Sequence, residues 1–230
     1  MASAGQGRLA WVTERPYAHR GLFGPGVPEN SLAAFRAAIA GGYGIECDVR
    51  LSRDGVAHVF HDRDLGRLTG AAGRIDDVDA HDLARLRLLG SDEAPPTLAA
   101  LLALCADTPL LVEIKSDRDA FALARLCAAV AEEMAQHDGP AAIISFDPRA
   151  LHWFAAHAPH ILRGQTLPRF RKRAAKALAI ASARPHFLAC DTYDLPGTIR
   201  ARRLPLVCWT VRTERQRILA ARQGAQIIFE

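Results

Sequence analysis

Four short clusters in this 230-residue chain carry side chains able to do chemistry: Ala18-His19-Arg20-Gly21, Ile45-Glu46-Cys47-Asp48-Val49, Phe60-His61-Asp62 and Val112-Glu113-Ile114-Lys115. Each lies at or near the end of a run that reads as a β-strand. Strand side chains alternate between two faces, so Glu46 and Asp48 share one face and Ile45, Cys47 and Val49 the other. The same alternation sets Glu113 and Lys115 together, opposite Val112 and Ile114. Three carboxylates gathered in one interior would repel and raise one another's pKa unless a cation held them. An all-oxygen set of this kind suits one divalent Mg2+, Ca2+ or Mn2+ ion rather than zinc, which gives Glu46, Asp48 and Glu113 as metal ligands. His19 and His61 titrate near neutrality, so one ring can accept a proton while the other donates. Arg20 offers a fork of donors and Lys115 a point charge, both suited to a phosphate. A divalent ion, two imidazoles and two cationic side chains together fit phosphoryl transfer better than other reaction classes.

The elements that must position these groups follow from periodicity. Apolar, β-branched runs at Tyr17–His19, Ile45–Leu51, Leu110–Ile114, Ala141–Ser145, Ile161–Thr166, Phe187–Asp191, Leu206–Val211 and Gln226–Phe229 read as strands. Helical periods fall at Ser31–Ala40, Leu98–Ala106, Asp119–Gln136, Pro148–Ala158, Phe170–Ser182 and Glu214–Arg222, with a short helix at most over Asp194–Ala201. Asn30 or Ser31 can cap the first helix, and Gly41-Gly42 stops it. Asp147-Pro148 and Thr213-Glu214 open later helices. Asp54-Gly55 reads as a hairpin turn that adds Val56–His61 as an extra strand. Alternation of this kind predicts a single α/β domain over residues 1–230, a (β/α)8 TIM-like barrel whose active site lies at the strand ends. A doubly wound open sheet is the rival, and the strand count and the site argue against it. Arg63–Pro96 reads as a polar, irregular excursion after the second strand, and no helix remains to follow the eighth.

Half of the residues are hydrophobic and 23% are charged, enough for one large core or two small ones. The net charge of +4 and the pI of about 9.0 suit an anionic substrate without specifying one. Cys47, Cys105, Cys127, Cys190 and Cys208 form no CxxC pair and read as buried free thiols in a reducing compartment. The first sixteen residues lack the apolar stretch of a secretory signal, and no run approaches the roughly 20 apolar residues of a membrane span, so a cytoplasmic location is expected. One stretch supports a different function. Arg169-Phe170-Arg171-Lys172-Arg173, with Lys176 beyond, could bind nucleic acid or an anionic surface. A helix bearing such a run is more often a solvated face, so no nucleic-acid partner is expected.

The motifs resemble a known family. His-Arg-Gly at His19–Gly21, PENSLAAF at Pro28–Phe35, IECDV at Ile45–Val49 and the DG…HD pair from Asp54 to Asp62 look like the signature of the glycerophosphodiester phosphodiesterases. PTL at Pro96–Leu98, EIK at Glu113–Lys115, SFDP at Ser145–Pro148 and CWTV at Cys208–Val211 follow in the same order. The resemblance implies a divalent ion on Glu46, Asp48 and Glu113, a catalytic pair in His19 and His61, phosphate contacts from Arg20 and Lys115, and Trp209 as a pocket wall. It also implies cleavage of a small glycerophosphodiester to sn-glycerol 3-phosphate and an alcohol. The substrate's 2-hydroxyl would attack phosphorus, and water would then open the cyclic phosphate. A lysophospholipase D-like activity is the alternative on the same barrel. The excursion offers no long apolar patch for an acyl chain, which favours the water-soluble substrate. Two departures stand out: Arg212 where relatives often carry Asn, and a chain that ends at Ile227-Ile228-Phe229-Glu230, before the last helix that relatives usually have.

Overall fold

The computed structural model describes residues 9–116, 119–170, 172–194 and 204–230. Eight parallel strands close on themselves: β1 (Tyr17–His19), β2 (Gly44–Leu51), β4 (Leu110–Ile114), β5 (Ala141–Ser145), β6 (Leu162–Leu167), β7 (Phe187–Asp191), β8 (Leu206–Val211) and β9 (Gln226–Phe229). Closure comes from β1, which pairs with β2 on one side and β9 on the other. The short β3 (Ala57–Val59) turns back antiparallel on β2 through Asp54-Gly55, as expected, although only part of Val56–His61 is strand. Helices α1 (Leu32–Ala40), α2 (Leu98–Cys105), α3 (Ala120–Met134), α4 (Pro148–His157), α5 (Arg173–Ala183) and α6 (Glu214–Arg222) lie between strands. The barrel expected from the alternation of apolar runs is therefore present. The short helix over Asp194–Ala201 falls almost wholly outside the described residues.

Side-chain alternation divides the apolar residues into two layers. Ile45, Cys47, Val49, Val112 and Ile114 point outward and pack with Phe35, Leu101, Leu126, Val130 and Phe154 of the surrounding helices. Inside the barrel, Leu111, Ala142, Ile144, Leu162, Phe187, Val207 and Ile228 fill the lower half. A 3-10 turn, Ala10–Thr13, plugs the bottom: Val12 joins this inner cluster, and the buried Tyr17 hydroxyl donates to the Val12 carbonyl at 3.1 Å. The inner apolar layer stops below Glu46, Asp48 and Glu113, so polar side chains occupy the upper mouth. All five cysteines are buried free thiols, as their apolar settings suggested. Among the described residues no helix is long and apolar enough to cross a membrane.

Two expectations need correction. Arg63–Pro96 is not simply polar and irregular. Gly66–Thr69, Ile75–Asp77 and Ala80–Leu83 form short helical turns, and Leu65, Leu68, Ile75, Leu83 and Leu88 bury themselves with Phe60 in a separate cluster. That cluster fixes the excursion beside the barrel mouth. The basic stretch also differs from a solvated helical face, because α5 begins at Arg173 rather than Phe170. Lys176, which was to extend the run, is 4% exposed; its ammonium pairs with the Asp194 carboxylate and donates to the Arg169 carbonyl at 3.2 Å. The Arg169 guanidinium lies over the rings of Phe170 and Tyr193. Of the described side chains in the run, those of Lys176 and Arg169 are therefore engaged within the protein.

The connection from β1 to α1 is tightly constrained. Arg20, Gly21 and Asn30 all adopt positive φ, at 58°, 83° and 56°. Gly21 lies so near α1 that a Cβ there would sit 2.7 Å from the Ala34 Cβ and 2.8 Å from its carbonyl carbon. Gly21→Ala combines a disfavoured φ with a backbone clash and should cost about 2–5 kcal/mol. Urea denaturation monitored by circular dichroism reads this directly; a midpoint equal to that of the parent would mean that the loop has room to move.

Candidate active site

The register of the first strands creates the site. Pairing of β1 with β2 sets His19 beside Glu46, and pairing of β2 with β4 sets Asp48 beside Glu113. All four side chains point into the barrel mouth. One carboxylate oxygen from each of Glu46, Asp48 and Glu113 lies within 4.8 Å of the others, and all three residues are buried. Two cations meet this cluster. The Lys115 ammonium lies 2.8 Å from Asp48 Oδ1 and 2.5 Å from Glu113 Oε1. Arg20 places Nε 3.3 Å from Asp48 Oδ2, and its Nη1 donates to Glu29 Oε1 at 2.7 Å.

Two cations do not balance three buried carboxylates. Burial, with the charges of Asp48 and Glu113 added, pushes Glu46 well above the usual carboxylate range. Burial also raises Asp48, but Lys115 and Arg20 outweigh it and hold that carboxyl well below its ordinary value. Glu113 ends above its usual value because burial exceeds the help it receives from Lys115. Burial opposes the charge on Lys115 as well, yet the two carboxylates beside it raise its pKa. A hard divalent cation would remove the remaining conflict, and the donor set is all oxygen. The residues present therefore fit such an ion.

Both expected histidines face the same cavity. His19 is largely buried, and burial together with the Arg20 charge lowers its pKa to about 4. Its Nε2 lies 3.9 Å from Glu46 Oε2. His61 is held from behind, with Nδ1 2.6 Å from Asp62 Oδ1 and its backbone carbonyl accepting from Arg50 Nε at 2.7 Å. Burial is the largest influence on His61 and lowers its pKa, against the raising effect of Asp48. For Asp62, burial is outweighed by bonds from Arg67 and His61, which bring its pKa down to about 2. Arg67, carried by the excursion, bridges Asp62 to Glu29, donating to the Glu29 oxygens at 2.8 and 3.0 Å. A continuous polar chain thus runs from Arg20 through Glu29, Arg67 and Asp62 to His61.

The cavity has a volume of about 300 Å3 and is bordered by His19, Glu46, His61, Glu113, Trp209 and Arg212, among others. Trp209 sits where the β8–β9 pairing slips between Cys208 and Val211, an irregularity that re-aims side chains. Its ring packs edge-on against Phe146 at 5.2 Å, and its buried indole N–H has no hydrogen-bond partner among the described residues. The structure therefore brings together the eight positions singled out from the sequence. Four supporting residues were not foreseen in these roles. Of the two candidate caps, Ser31 takes the role by accepting from the Ala34 amide, and Asn30 donates from Nδ2 to Asp48 Oδ2 at 3.0 Å. Glu29, Asp62 and Arg67 complete the polar chain. The adjacency of His61 and Asp62 was the available signal for one of them; nothing local marks Arg67.

Comparison with known proteins bears on this geometry. The sequence profile described as the glycerophosphoryl diester phosphodiesterase family matches residues 19–229. The chain belongs to that family. It is 31% identical over 241 residues to "Probable glycerophosphodiester phosphodiesterase 1" of Mycobacterium tuberculosis, a match covering 88% of this chain and 86% of that protein. A stronger local likeness, 40% over 100 residues, is to "Probable glycerophosphodiester phosphodiesterase 2" of the same organism and spans 43% of this chain and only 38% of that relative's length. A solved phosphodiesterase of Oleispira antarctica, in complex with the product sn-glycerol-3-phosphate, is 26% identical, with a TM-score of 0.84 over 95% of this chain and 93% of that one. Glycerophosphoryl diester phosphodiesterase family membership and the closed barrel thus agree with the motifs read from the sequence.

The balance of charge within this family member can be tested without any substrate. Lys115→Met removes the cation between two buried carboxylates and should cost about 3–5 kcal/mol of stability in the presence of chelator. An unchanged denaturation midpoint would contradict the charge assignment.

Proposed function

We propose that the protein hydrolyses glycerophosphodiesters to sn-glycerol 3-phosphate and an alcohol. The observation that carries this reading is the convergence of three buried carboxylates and two imidazoles on one cavity. Glu46, Asp48 and Glu113 would hold one divalent cation, Mg2+, Ca2+ or Mn2+. Such an ion, when bound, neutralises negative charge that develops on the phosphoryl oxygens. The product in the Oleispira antarctica complex supports a glycerol phosphate as the retained half of the substrate.

The protein's own groups then divide the work. Arg20 and Lys115 lie beside the carboxylates and are suited to orient the phosphate by its non-bridging oxygens. Trp209 forms one wall, and its unpartnered N–H can donate to a substrate oxygen. One imidazole accepts the proton of the substrate's 2-hydroxyl as that oxygen bonds to phosphorus. The other gives a proton to the departing alcohol oxygen, leaving a cyclic phosphate. In the second half the proton movements reverse, and water opens the ring to give the monoester. His61 is oriented for this by Asp62, which in turn is fixed by Arg67.

One observation favours a second reading, cleavage of lysophospholipids. Phe146 lines both the catalytic cavity and an open groove of about 730 Å3 bordered by Pro148, Pro168 and the exposed Phe170. Asp147 and Arg149 border the same groove, which the loops after β5 and β6 carry rather than the excursion after β3.

An assay for released glycerol phosphate, run over a panel of headgroups and one lysophospholipid, tests both readings. Activity should vanish in EDTA and return with one of the three ions; full activity after exhaustive chelation would exclude the proposed site. His19→Ala and His61→Ala should each lower turnover about 10²–10⁴-fold with the fold intact, and near-parent rates in both would remove the acid–base assignment.

A further inference from the structure

His19 has a polar atom that the scheme above leaves without a task. Its Nδ1 is buried and has no hydrogen-bond partner among the described residues. Facing it, at 3.8 Å, is Oε2 of Glu230. The sheet register explains the meeting. Ala18 pairs with Phe229, so the next residues along these parallel strands, His19 and Glu230, emerge side by side at the barrel mouth. Ala18 and Phe229 belong to the outward layer, which turns both successors inward.

The backbone at this point is well anchored. The Glu230 amide donates to the Val211 carbonyl at 3.1 Å. The Phe229 ring meets Tyr43 edge-on at 4.9 Å and lies under the Arg217 guanidinium. The Glu230 carboxylate has one partner already, the Arg212 guanidinium. That side chain is 57% exposed, and exposed ion pairs contribute little by themselves. The buried ring nitrogen has more to gain, because an unsatisfied donor away from water is costly. Catalytic hydrogen bonds are also often long before substrate arrives and shorten in the complex.

We propose that Glu230 is the positioning residue of His19. Its carboxylate accepts a hydrogen bond from Nδ1–H, which fixes the tautomer and presents Nε2 to the cavity, and Arg212 steadies the carboxylate from the solvent side. The bond that one ring nitrogen makes decides which nitrogen carries the proton. Asp62 does the same for His61, so each imidazole has its own carboxylate behind it. The kinetic side of this proposal rests on the acid–base role proposed above for His19; the contact itself does not.

Two measurements on the full chain test it. In steady-state hydrolysis of glycerophosphocholine, Glu230→Ala should lower kcat about 10–100-fold with KM changed by less than about threefold, and Glu230→Asp should recover part of the loss. In nitrogen-15 spectra, the His19 ring signals, identified by their absence in His19→Asn, should report protonated Nδ1 in the parent and shift in Glu230→Ala. Unchanged His19 signals overturn the proposal whatever the kinetics show. Where His19→Ala itself lowers turnover, a Glu230→Ala kcat within about threefold of the parent, or a loss confined to KM, overturns it too. Should the parent cleave no diester at all, the proposed function fails, and the spectra alone still decide whether Glu230 holds His19.

Discussion

Electrostatic crowding at the mouth of the barrel is the constraint on which the other features depend. Glu46, Asp48 and Glu113 are buried within a few ångströms of one another, with Lys115 and Arg20 beside them to offset part of the charge. Charges so placed are costly unless they are paired and hydrogen-bonded. The surrounding structure can be understood as the means of meeting that cost. Asn30 donates to Asp48, the Arg20 amide donates to Glu46 Oε2 at 3.3 Å, and the positive φ of both Arg20 and Asn30 keeps them within reach. Strained backbone of this kind persists where neighbouring structure over-determines it.

The excursion after β3 gains meaning from the same constraint. Its small core, built on Leu65, Leu68, Ile75, Leu83 and Leu88, holds a segment that could not otherwise stay in place. From that segment Arg67 reaches both Glu29 and Asp62, and through them ties the loop after β1 to the loop after β3. The two imidazoles are thus oriented by elements distant in sequence, one fixed through the excursion and the other lying beside the final strand. A barrel suits such an arrangement, since every parallel strand delivers its following loop to one rim.

Much of this was legible in the sequence, for definable reasons. Strands such as Leu110–Ile114 and Phe187–Asp191 are short apolar runs with polar or proline boundaries, so local pattern sufficed. The inward facing of Glu46, Asp48 and Glu113 follows from a period of two and needs no tertiary information. Long-range pairing was the part that stayed hidden. Lys176 reads as one more cation in a basic run, and only the fold brings Asp194 across to bury it. Arg67 looks like a surface arginine until the excursion folds back. The cluster within Arg63–Pro96 was missed because its leucines follow no single helical or strand period. Asn30 carries a sequence context that suits capping equally well, and Ser31 takes that role.

The proposed catalysis requires these three carboxylates to act as one ligand set. Isothermal titration of the chelated protein with Mg2+, Ca2+ and Mn2+ addresses that without relying on any substrate. The expected result is a single site for at least one of these ions, abolished in Asp48→Asn while the circular dichroism spectrum is kept. Equal binding by the parent and by a Glu46→Gln, Asp48→Asn, Glu113→Gln triple variant, or no binding by the parent, would contradict it.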